Sequence, residues 1–80
     1  MSPTVFREKG YRFYFFSLEE SRKHVHVACG EGDAKFWLEP HVELAMATKG
    51  LPRHRLTEIH SIVEEHRNEL TDAWVRHLGS

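Results

Sequence analysis

The chain has 80 residues, enough for one domain around a single core and too few for a second. Its 40% hydrophobic and 11% aromatic content excludes a disordered chain, and a net charge of −1 excludes a general polyanion binder, although seven histidines would add positive charge in acid. The lone Cys29 excludes an internal disulfide and no apolar run reaches the roughly 20 residues that span a bilayer, so a soluble cytoplasmic protein without a signal peptide is expected.

Strand signals come first. Thr4 to Arg7 and Tyr11 to Ser17 are rich in β-branched and aromatic residues, which suit a pleated surface. Glu8-Lys9-Gly10 between them reads as a three-residue hairpin loop that pairs Val5 with Phe13 and Arg7 with Tyr11. A two-residue loop would set Arg7 against Arg12, two like charges on facing strands. Phe13 and Phe15 fall on one face, and Arg12, Tyr14 and Phe16 on the other. Leu18 to Lys23 is polar and reads as a loop. His24 to Cys29 is a third strand, and Gly30-Glu31-Gly32-Asp33 is a turn whose glycines supply positive φ.

Ala34 to Glu39 alternates apolar and polar residues as a fourth strand. Val42 to Thr48 also alternates, although its Leu, Ala, Met and Glu are good helix formers and Pro40 and Gly50 would suit the ends of a short helix. The alternation favours a strand. From Pro52 onward Leu56, Ile59, Val63, His66, Leu70, Ala73, Trp74 and His77 recur at steps of three or four, the apolar stripe of an amphipathic helix. Such a helix is long for so small a domain, and a bend near Arg67-Asn68, with Asn68 capping a second segment, would divide it.

The pattern with most chemical content is His24-Val25-His26-Val27. On a regular strand the two imidazoles share one face and the two valines the other. Paired histidines suit acid–base chemistry, one taking a proton from a ribose 2′-hydroxyl while the other protonates the leaving oxygen, because both titrate near neutrality. Arg22, Lys23 or Lys35 would then offset charge on the phosphate. The plainer reading gives hydrogen-bonded histidines at a sheet edge and solvated cations. A metal site would need more ligands than this pair supplies, with His41, Glu39 or Cys29 the nearest in sequence. Cys29 falls on the opposite face, so the set would be His24, His26 and His41, and no metal or cofactor is expected. Lys49, Arg53, His54 and Arg55 gather at the helix start, where each exposed cation opposes the macrodipole at a cost of up to about 1 kcal/mol. Arg53 and Arg55 therefore join Arg22, Lys23 and Lys35 as candidate contacts to a nucleic acid or an acidic partner.

Nearly end to end, the chain resembles the bacterial and archaeal family called domain of unknown function 4160. The resemblance rests on Pro3-Thr4-Val5, Gly10-Tyr11-Arg12-Phe13, His24-Val25-His26, Gly32-Asp33-Ala34-Lys35-Phe36-Trp37-Leu38 and Leu51-Pro52. It continues through Leu56, Ile59, Val63 and Glu64 to His66-Arg67-Asn68-Glu69-Leu70 and Trp74. Two prolines often precede the His-x-His in that family, where Arg22-Lys23 stand here. The resemblance implies a gene beside that of another small protein, as in toxin–antitoxin pairs.

The expected architecture is α+β, one domain over residues 1–80. An antiparallel sheet of four to five strands, within about 4–48, packs on one long or two short C-terminal helices within about 52–78. Val5, Phe13, Phe15, Phe36, Leu38, Leu56, Ile59, Val63, Leu70 and Trp74 should form most of the core. The expected function is a binding module of a two-protein, toxin–antitoxin-like cassette, its partner a small cognate protein, with RNA or DNA also considered. A ribonuclease-type toxin using His24 and His26 is the alternative, and a metal-binding regulator the third reading. Aromatics on both sheet faces and a long helix stripe imply a homo- or hetero-oligomer joined through the sheet edge or the stripe.

Overall fold

Lys9 and Gly10 both take positive φ, +52° and +84°, and form a two-residue turn between β1 (Thr4–Glu8) and β2 (Tyr11–Tyr14). The computed structural model describes residues 4–16 and 21–79; Ser17, the expected end of the second strand, and the first residues of the expected loop after it lie outside them. Glu8 pairs with Tyr11 and Arg7 with Arg12, which corrects the expected three-residue loop. Val5 does not face Phe13: Phe6 does, with stacked rings 4.4 Å apart, and the register slips between Thr4 and Phe6. The primed turn matches the twist of the strands, and Arg12 is drawn aside. Its Nε–H donates to Thr4 Oγ1 at 2.9 Å and its guanidinium lies 4.5 Å from the centre of the Tyr14 ring.

β3 spans His24–Cys29, and β4 spans Gly32–Trp37, starting and ending two residues before the expected strand. Of the two glycines in the turn between them, only Gly32 has positive φ, +145°. A Cβ there would lie 2.9 Å from the Thr48 Cβ, so this position is closed to a side chain by the end of β5. β5 (Glu43–Ala47) settles the ambiguous segment as a strand. The described strands form one antiparallel sheet in the order β1-β2-β3-β4-β5.

α1 (Arg53–Glu65) and α2 (Arg67–Leu78) meet at His66, which caps the end of one and the start of the other. The break therefore falls one residue before the expected bend, and His66 rather than Asn68 holds the cap position. Pro52 sits at the N-cap of α1, and Gly79 ends α2 in the left-handed conformation, its N–H donating to the Val75 carbonyl. The side chain of Arg67 anchors α2 to the chain after β4, donating to the carbonyls of Leu38 and Pro40 at 2.9 and 3.1 Å.

Phe13, Phe15, Val25, Val27, Phe36 and Leu38 pack with Ile59, Ile62, Val63, Leu70, Ala73 and Trp74 in one buried cluster, so the helices cover one face of the sheet. Val5 and Leu56, expected inside, lie at its rim, while Val25, Val27 and Ile62 join the core without having been expected there. Among the described residues no helix is long and apolar enough to cross a membrane.

Candidate functional site

Alternation along β3 places Val25 and Val27 under the helices and His24 and His26 on the other side. Cross-strand register extends that second side into a row, one residue per strand: Tyr14 opposite His26, His26 opposite Lys35, and Lys35 opposite Met46. The Tyr14 and His26 rings stack at 5.4 Å, and Phe16 meets His26 edge-on at 4.6 Å. These side chains, with Asp33, Ala34, Ala47 and Thr48, line a cleft of about 360 Å³. Its rim is apolar and exposed: Met46 has 64% of its surface in solvent and Phe16 has 41%.

The two histidines are not equivalent. His24 is 0% exposed, packed edge-on against His26, Trp37 and Trp74 with ring centroids 5.2, 5.7 and 4.8 Å away. Its Nδ1–H donates to the Arg22 carbonyl at 2.6 Å, which fixes the ring. His26, 9% exposed, lines the cleft. Each imidazole is therefore where the strand pattern placed it, and tertiary packing gives the two different surroundings.

Of the candidate cations, Arg22 and Lys35 both converge on Trp37 on the open face, with their charged groups 4.2 and 4.6 Å from its ring centre. Arg22 Nε–H donates to the Glu39 carbonyl at 3.0 Å, and the Lys23 backbone N–H donates to the Glu39 carboxylate at 3.3 Å. Glu39 thus holds the segment before His24, where the resemblance would place prolines. Arg55 is elsewhere, bridging Glu31 at 2.7 Å and Glu58 at 3.7 Å, and Arg53 lies exposed at the start of α1. Arg55 also helps set the Tyr11 hydroxyl, which donates to Glu58 at 2.6 Å; burial first, then Glu58, pushes the Tyr11 pKa up.

The conditional metal set is not assembled. Among the described residues, the group of three possible ligands whose atoms lie within 4.8 Å of one another is Glu8, Glu65 and His66, not His24, His26 and His41. His41 sits exposed before β5, and Cys29 packs against the core side of β3. At the helix junction His66 Nδ1–H donates to Glu69 at 2.7 Å, and Nε2 lies 3.0 Å from Glu8 and 3.6 Å from Glu65. Glu69, aided by Glu8 and opposed by burial, raises the His66 pKa above the usual value for histidine.

Phe16 and Met46 complete the cleft yet were not among the expected site residues. Alternation alone put Phe16 beside Tyr14, but only strand order brings Met46 to the same row. Residues 10–75 match the family described as "Domain of unknown function (DUF4160)". No curated protein and no solved structure matches the chain.

Proposed function

The chain belongs to the family described as domain of unknown function DUF4160, and from that membership and its open sheet face we propose that it is a small binding module. Its partner is a small cognate protein encoded beside it in a toxin–antitoxin-like cassette, and its compartment is the reducing cytoplasm, which suits a lone cysteine. The observation that carries this reading is the exposed Met46 and Phe16 flanking a cleft floored by Tyr14, His26 and Lys35. An adaptable methionine and exposed aromatic rings are residue types that anchor protein interfaces. The helix stripe is occupied by the sheet, so the association expected of this chain falls to the open face and the β5 edge, where Leu44 is exposed as well.

Co-purification with the neighbouring gene's product tests the proposal. Met46→Asp and Phe16→Asp should each weaken the complex at least tenfold, about 1.4 kcal/mol. A complex untouched by both substitutions would move the interface off this face.

One observation favours a second reading, a ribonuclease-type toxin: the His24 and His26 rings are 5.2 Å apart on the same side of the sheet. It ranks lower because an acid–base pair must meet one phosphate with both imidazoles, and His24 has no exposed surface.

A further inference from the structure

We infer that Glu8, Glu65 and His66 form a site for one divalent ion of the zinc class, at the junction of β1, α1 and α2. Three ligand atoms from three parts of the fold converge there. Glu8 closes β1, Glu65 closes α1, and His66 is the residue between the helices. His66 Nε2–H donates to Glu8 Oε1 at 3.0 Å and Nε2 lies 3.6 Å from Glu65 Oε1, and all three ligand atoms lie within 4.8 Å of one another; the ion would take the place of the Nε2 proton, which leaves to solvent. Ligands at about 2.0–2.2 Å from a tetrahedral zinc sit about 3.3–3.6 Å from each other, and the two sides that meet at Nε2 are close to that spacing.

The chemistry of the donors agrees with the geometry. Imidazole nitrogen and carboxylate oxygen are zinc ligands, and three of them leave a fourth position for water. The other imidazole nitrogen, Nδ1, donates to Glu69 at 2.7 Å. A carboxylate on the far nitrogen of a ligating histidine fixes the ring, points Nε2 at the metal and makes it more basic. Phe6 packs on the same ring at 4.7 Å, holding it from the side of the sheet. Arg67, the cation next in sequence, is turned away to the carbonyls of Leu38 and Pro40 and leaves the carboxylates' charge unopposed by its own. A bound ion would clamp the first hairpin to the helix break, away from the cleft on the open face. The site is thus independent of the proposed binding function.

The test is calorimetric titration of the full chain with zinc alone near pH 7.5, repeated on Glu8→Gln, Glu65→Gln, Glu69→Gln and His66→Asn. Circular dichroism confirms that each variant is folded; Glu65→Gln and Glu69→Gln alter exposed side chains and keep the test open if the others do not fold. One equivalent should bind to the parent chain and shift the His66 ring nitrogens in NMR spectra. Glu65→Gln should weaken binding at least tenfold, and Glu69→Gln by about 10- to 100-fold, as for other outer partners of a metal-bound histidine. Zinc should raise the melting temperature of the parent and not that of Glu65→Gln. The inference is overturned by binding only at millimolar zinc, by unchanged affinity in Glu65→Gln, or by ring shifts confined to the other histidines.

Discussion

The two sides of β3 are both buried, by different means. Val25 and Val27 lie under a layer of helices, against Ile59, Val63 and Leu70 in the core. His24 and His26 lose their solvent piecemeal to side chains: Tyr14 and Phe16 from β2 and its continuation, Trp37 from β4, and, at His24 alone, Trp74 from α2. A face covered by a second layer is committed to stability. Around His26 the cover is the sheet's own aromatic and long side chains, and there the face keeps a rim that another molecule can meet. Equal burial therefore does not mean equal role, and substitutions on the two sides should separate stability from binding.

The largest effect is expected on the helix-covered side. Leu70→Ala should cost about 2–5 kcal/mol in urea unfolding, because Leu70 is wholly buried and its removal leaves a cavity. A loss below about 0.5 kcal/mol, the size of an ordinary surface change, would mean that α2 packs elsewhere. Next comes the contrast within the pair of histidines. His24→Ala should cost about 2 kcal/mol through the lost Arg22 hydrogen bond and ring packing, and His26→Ala clearly less.

The same two substitutions sharpen the functional comparison. On the binding reading they lower partner affinity in graded steps and no RNA product appears. If purified protein cleaves RNA, and each single substitution abolishes cleavage about as fully as the double, the histidines act as one catalytic unit and the ribonuclease reading replaces it. On the open rim, Met46→Asp should change stability by less than about 0.5 kcal/mol while weakening the complex. Equal losses of stability and affinity would erase the distinction between the faces.

A smaller effect belongs to His66 in metal-free protein. Glu69 and Glu8 raise its folded pKa above the usual value of 6.5, so its stabilising contribution is complete below about pH 6.5. That contribution is lost as pH rises through the raised folded value. Melting temperature followed from pH 6 to 9 with a chelator should fall, and Glu69→Gln should flatten the decline. A profile identical in the two proteins would remove the imidazole from the stability balance. A loss reduced for a different reason is expected for Trp74→Phe. Among the described residues, Trp74 Nε1 is the buried side-chain polar atom without a hydrogen-bond partner, so its loss offsets part of the lost packing. Unfolding should therefore show a smaller loss than the 3–5 kcal/mol or so typical of removing a whole buried tryptophan.

The strand pattern of β3, the existence of β4 and the helical stripe are legible because they rest on periodicity, a property of neighbours in sequence; β4 begins and ends two residues early, and residues 42–48 carried both a strand and a helix signal. Alternation likewise put His24 and His26 on one face of their strand, and Tyr14 and Phe16 on one face of theirs. The first hairpin was misread because charge repulsion was weighed between Arg7 and Arg12 as if both were confined. Positive φ at Lys9 and Gly10 set the loop, and Arg12 turned to Thr4 and Tyr14. The helix break moved to His66 for a similar reason: its imidazole is held by glutamates from β1 and α2, and one of these is 58 residues away in sequence.

Sequence by itself therefore determined which residues share a face, because side-chain direction follows from backbone geometry over two to four residues. Only the tertiary structure decided what each face meets. Strand order set Met46 beside Lys35 and His26, the packing of α2 buried His24 under Trp74, and the packing of the helix break against β1 brought Glu8 to Glu65. Those contacts join residues far apart in the chain, and no local spacing encodes them.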